Sequence, residues 1–149
     1  MMITFLCLIS VYQATHEASS QSAKEAYLRR SGPRAMEMCV KVAQRAVEAK
    51  IDPLEIIAVS FTESRHRDLI SKAGARGPLQ ALPRYWSRRG DRDHIDAGIR
   101  AWTYYRKRSK DIRAAAGRYN GAGGKSVYAR DVERHYHLLQ DARQWIKTR

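Results

Sequence analysis

The sequence predicts an all-α (mainly α) single domain, and three observations lead there. Apolar residues recur at the i, i+3, i+4 spacing of amphipathic helices along most of the chain. No segment shows the apolar/polar alternation of a half-buried strand, and no repeat or low-complexity tract interrupts the pattern. The 149 residues, 44% of them hydrophobic, suit one compact unit that buries about two thirds of its unfolded surface.

Residues 1–20 open on Met-Met-Ile-Thr-Phe-Leu-Cys-Leu-Ile-Ser-Val-Tyr, an apolar run far shorter than the about 20 residues that span a bilayer. It reads as the apolar region of a signal peptide, with a cleavage site near Gln13-Ala14-Thr15-His16, or as an N-terminal anchor. On that reading the working domain covers 21–149 and Cys7 leaves with the leader. Cys39 then stands alone as a small buried hydrophobe beside Met36, Val40 and Ala43.

Residues 21–31 predict a short polar helix ending at Ser31-Gly32-Pro33, and 34–49 a second with apolar positions at helical spacing. The next start is the best marked: Asp52 as N-cap, Pro53 at the first helical position and Glu55 three residues after the cap form a capping-box-like signature. Ile56, Val59, Ser60 and Glu63 then share one face, which Ile57 and Phe61 widen, so Glu63 ends the core face of this helix. Residues 65–82, rich in Gly and short polar residues, predict an irregular excursion punctuated by Pro78 and Pro83. Helices are expected over 94–107, 109–118 and 126–146, with a break at Asn120-Gly-Ala-Gly-Gly124. Trp102 and Trp145 read as core, and Trp86 equally as core or as a surface for sugar rings.

Lys+Arg 28 against Asp+Glu 15 gives a net charge of +13, which favours polyanionic partners. Nucleic acid, an anionic membrane and bacterial wall polymer all qualify. The basic run from Arg100 to Arg118, interleaved with Trp102, Tyr104 and Tyr105, fits nucleic acid by composition, but no nucleic-acid-binding motif accompanies it. Gly123-Gly-Lys-Ser126 is no phosphate loop, because that pattern needs Gly where Tyr119 stands and a preceding strand. His135 and His137 point to different faces of a helix and His66 and His94 are scattered, so neither a metal site nor a cofactor is expected.

A carboxylate ending an apolar face is more often exposed or ion-paired than catalytic, and Arg65 and Arg67 are near enough in sequence to pair with Glu63. Its context says more. Glu63-Ser64, Gly74-Ala-Arg-Gly-Pro-Leu-Gln80, Gly117-Arg-Tyr-Asn120 and Tyr128 follow in order and with similar spacing the pattern of the lytic transglycosylases of the lysozyme superfamily, which the chain resembles over about residues 35 to 140. The resemblance implies a lysozyme-like fold in which Glu63 is the sole acid/base and Ser64 helps support it. Gly74, Gly77 and Gln80 would shape a saccharide cleft, and Tyr119, Asn120 and Tyr128 would line it around the scissile bond. His94-Ile-Asp-Ala-Gly98 is similar to a further family segment, Asn-Ile-x-x-Gly. The chain departs from the family at Pro78 and Leu79, where Leu and Met are usual, and at Arg118, where Ala is usual.

The implied activity is cleavage of peptidoglycan glycan strands between N-acetylmuramic acid and N-acetylglucosamine with formation of a 1,6-anhydro ring. The implied location is periplasmic or secreted, in the service of a secretion, conjugation or phage assembly, with membrane contact only through an uncleaved N-terminus. Protonating a glycosidic oxygen near neutral pH needs a carboxylic acid kept protonated, which an apolar wall such as Ile56 and Val59 achieves by penalising the charged form. Two alternatives stay open. A hydrolytic muramidase needs a second carboxylate, for which Asp68, Asp91, Asp93 and Asp96 are the candidates, although none stands out. A basic module that binds peptidoglycan or nucleic acid without turnover needs none.

Overall fold

A computed structural model describes residues 1–17 and 20–148. The protein is all-α: among the described residues there are eight helices and no strands, α1 (Met2–His16), α2 (Gln21–Arg30), α3 (Gly32–Glu48), α4 (Pro53–Ser64), α5 (Pro83–Trp86), α6 (His94–Lys107), α7 (Ile112–Asn120) and α8 (Val127–Lys147). Side-chain caps set most of the starts. Ser20, Asp52, Asp93, Asp111 and Ser126 each accept a backbone N–H from the first turn of α2, α4, α6, α7 and α8, and such a cap is worth about 1 kcal/mol. Asp111 explains why α7 begins three residues later than its apolar pattern suggests. Glu55 does not complete the capping box. Its buried carboxylate instead accepts the Trp102 indole N–H and the Arg106 Nε–H, each at 2.9 Å, and so ties α4 to α6.

α4 is apolar nearly all round and is accordingly the central helix. On one side Ile56 and Val59 join Val42, Leu79, Ile95, Trp102, Ala115 and Val132 in the main core. On the other, Leu54 and Ile57 meet Leu6, Cys7, Cys39 and Leu139. α4 is thereby held between α3, α8 and α1. Between α4 and α5 the chain makes the expected excursion, braced by isolated bridges pairing Ile70 with Arg76 and Arg76 with Ala81. The one-turn helix α5, opened by Pro83, ends it.

The N-terminal segment is where the structure departs from the sequence reading. α1 docks on α3 and α8 with Leu6, Cys7, Ser10 and Val11 buried, and Cys7 is disulfide-bonded to Cys39 with a Cα–Cα distance of 5.6 Å. Cys39 is therefore one half of a cross-link, not a lone hydrophobe. Residues 18 and 19 of the expected leader lie outside the described residues. Among the described residues no helix is long and apolar enough to cross a membrane. Trp145, expected in the core, is 54% exposed and stacks on Phe5 of α1 with ring centroids 6.5 Å apart.

Candidate active site

Glu63 lies in the last turn of α4, where the helix leaves the core, and it is only partly exposed. Tyr128, in the first turn of α8, donates its hydroxyl to Glu63 Oε1 at 2.7 Å. Burial pushes the carboxyl up to about 7, although the Tyr128 hydrogen bond pulls the other way. Near neutral pH the group is thus divided between acid and carboxylate. Burial, and then the Glu63 charge, hold the Tyr119 and Tyr128 phenols well above the ordinary tyrosine range, so both stay protonated and able to donate.

The two guanidinium groups that could have neutralised Glu63 go elsewhere. Arg65 pairs with Glu17 at 2.8 Å and donates to the Phe61 carbonyl, while Arg67 Nε donates to the Ser64 carbonyl at 2.8 Å. Among the described residues no cation lies within salt-bridge distance of Glu63. Among the described residues no second carboxylate shifts its titration either. Asp91 is bound by Arg100, Asp93 by Lys41 and Arg45, and Asp96 by Arg45 and Arg92. Asp68 is exposed on a cavity of about 470 Å³ that it shares with Arg30, Arg34, Lys41 and Arg67.

Tyr119 reaches the site from the end of α7. Its hydroxyl donates to the Leu79 carbonyl, and its ring meets Trp102 and Tyr105 edge-on at centroid distances of 5.7 and 6.2 Å. Gly117 permits the approach of α8: a Cβ there would stand 2.2 Å from the Gly123 carbonyl carbon, and Gly123 N–H donates to the Gly117 carbonyl at 3.0 Å. The Asn120–Gly124 break therefore folds back on α7 and starts α8 beside it, so that Tyr128 bonds Glu63 while Tyr119 lies near enough to feel its charge. Asn120 is exposed at the last position of α7.

Ser64 and Gln80 brace the excursion, and none of their hydrogen bonds among the described residues goes to Glu63. The buried Ser64 Oγ lies 2.9 Å from the Pro78 carbonyl and accepts the Arg67 N–H at 3.0 Å. Gln80 Nε2 donates to the Leu69 and Gly77 carbonyls at 2.9 and 2.8 Å. Gly77, at φ 78°, rests against His94, where a Cβ would lie 2.8 Å from the His94 Cβ, and Gly98 likewise rests on Leu79. The His94–Gly98 segment thus receives the loop onto α6, a packing role that the motif did not announce. Gly74, at φ 84°, faces open space.

Much of the basic run is committed internally. Arg100 binds Asp91 and the Trp86 carbonyl, Arg106 binds Glu55, Arg113 binds Glu133, and Arg108 lies over the Tyr104 ring at 3.8 Å. Trp86 is half-buried against Tyr104 and Tyr105. Among the described residues no group of three or more His, Cys, Asp or Glu is placed to hold a metal ion. His66 and His135, far apart in sequence, are brought to one buried hydroxyl, that of Ser10, which lies 2.7 Å from each Nε2. Neither histidine carried a sequence signal beyond its place on or just after an apolar face.

No protein family, curated protein or solved structure matches this chain.

Proposed function

We propose that the protein is a peptidoglycan lytic transglycosylase of lysozyme-like architecture with Glu63 as its sole acid/base. The observation that carries the reading is a carboxyl pushed up to about 7 by burial and hydrogen-bonded to Tyr128, with neither an ion pair nor another carboxylate acting on it among the described residues. A lone carboxyl suits a reaction in which the substrate supplies the nucleophile. Glu63 gives its proton to the glycosidic oxygen while the N-acetyl carbonyl oxygen of the muramoyl residue attacks the anomeric carbon, which releases the leaving sugar. The Glu63 carboxylate then takes the proton of the C6 hydroxyl. The C6 oxygen displaces the acetamido oxygen, closes the 1,6-anhydro ring and restores both the N-acetyl group and the acid.

The Tyr128 donor favours the carboxylate formed after the first transfer, and so eases the departure of the proton. Tyr119 walls the carboxyl on the α7 side. A net charge of +13 suits an anionic wall polymer, and a disulfide persists best in an oxidising compartment, both of which support a periplasmic or secreted location. Service to a secretion, conjugation or phage assembly rests on the sequence resemblance. Replacing Glu63 by Gln tests the reading: the variant should still sediment with purified peptidoglycan but release no fragments, whereas undiminished release removes Glu63 from the mechanism.

A further inference from the structure

The two residues that close α4 behind Ser64, Arg65 at φ 55° and His66 at φ 60°, occupy the left-handed region although neither is glycine. Such residues persist only where neighbouring contacts fix them. The turn closes the helix end that bears Glu63: Arg65 N–H donates to the Phe61 carbonyl at 2.9 Å and His66 N–H to the Ser60 carbonyl at 3.3 Å.

Side chains from the N-terminal segment grip both residues. Ser10 Oγ on α1 lies 2.7 Å from His66 Nε2 and 2.7 Å from His135 Nε2 on α8, while His66 Nδ1 lies 2.9 Å from Ser60 Oγ on α4. Glu17, just past α1, holds Arg65 at 2.8 Å. Ser10, His66, Ser60 and His135 are all buried, so each depends on the others for its partners. A serine hydroxyl has one proton. With that proton given to one imidazole and a lone pair offered to the other, the first ring carries its own proton on Nδ1 and the second presents an Nε2–H, while burial keeps both rings neutral. One turn before Ser10, the Cys7–Cys39 bond fastens α1 to α3.

We infer that α1 is a working part of the domain and that Ser10 and Glu17 are positioning residues, holding the strained Arg65–His66 turn and with it the end of α4 that presents Glu63. The inference rests on the proposed function only for what Glu63 does. A leader removed near Ala14 would take Cys7 and Ser10 with it and leave His66 and His135 without their shared partner.

The test uses the full chain with Ser10→Ala, Glu17→Gln, the hydroxyl-retaining Ser10→Thr, and a Cys7→Ser/Cys39→Ser pair. Each is read by fragment release from peptidoglycan and by carboxyl NMR titration of Glu63. Ser10→Ala should lower release about tenfold or more, the scale of a small misplacement of a catalytic group. It should also move the Glu63 midpoint by about one pH unit towards an ordinary glutamate as water reaches the loosened turn. Glu17→Gln should shift both readouts the same way by less, and Ser10→Thr should restore most of both. The cysteine pair should melt earlier while Glu63 titrates as in the parent. A folded Ser10→Ala protein with unchanged release and unchanged Glu63 titration overturns the inference. Should Ser10→Ala fail to fold, ring NMR of the parent decides: opposite, neutral tautomers at pH 6 support the clamp, and like tautomers or ordinary titration overturn it. A parent that releases no fragments sinks the glycan-cutting proposal alone, because the Glu63 titration still decides this one.

Discussion

Tyr128 donates a 2.7 Å hydrogen bond to Glu63 from a helix that begins more than sixty residues later, so one contact joins the central helix to the last one at the carboxyl. This bond favours the charged form of Glu63 against the burial that disfavours it. Tyr128→Phe should therefore raise Glu63 further above about 7, as read by carboxyl NMR, and slow fragment release by about tenfold or more, since proton transfer by a positioned group contributes at least that much. A Glu63 midpoint that falls in this variant would contradict the assignment.

The same carboxyl costs stability at alkaline pH. Its folded value of about 7 exceeds its ordinary 4.5, so the protein is most stable with respect to this group below pH 4.5 and loses that contribution as pH rises through 7. Glu63→Gln removes the ionisation and should stabilise the fold at pH 8 by up to about 3 kcal/mol, with no gain at pH 4. Urea unfolding at the two pH values checks this.

His66 and His135 act in the opposite sense. Burial, first among the causes in both, then the neighbouring Arg65 charge and for His66 that of His135, lowers each from 6.5 to about 3. Their depressed values contribute stability that is present in full above pH 6.5 and lost as pH falls towards 3. Thermal melts should show a fall in melting temperature below pH 6.5 that is reduced when both are replaced by Gln, even if that variant starts from a lower melting temperature.

Gly117 has no room for a side chain. Gly117→Ala would place a methyl group 2.2 Å from the Gly123 backbone, and the clash should cost about 2 kcal/mol or more while parting Tyr128 from Glu63. Equilibrium unfolding measures the first effect and the Glu63 titration the second. An alanine variant as stable as the parent would mean that the α7–α8 break does not fold back as described.

Much of this arrangement is legible from local chemistry. Asp52 and Pro53 fix the register that puts Glu63 at the end of α4, and the Gly-rich break at 120–124 marks where the chain turns back. What periodicity could not show is the docking of α1, which buries Leu6 and Val11 on one face and leaves Leu8 and Tyr12 exposed on the other. The partners of Cys39 and Trp145 were hidden for the same reason, since both lie on α1. Gln80 and Ser64 turn their polar atoms inward to backbone carbonyls of the loop, a choice made by burial and not by spacing.

The most direct test of the central claim is the mass of the soluble fragments that the full chain releases from purified peptidoglycan, with Glu63→Gln alongside. The products should end in 1,6-anhydro-muramic acid, each lighter by one water than the hydrolytic equivalent, and the variant should release none. Fragments with reducing ends, or fragments that persist with Glu63→Gln, would contradict that claim.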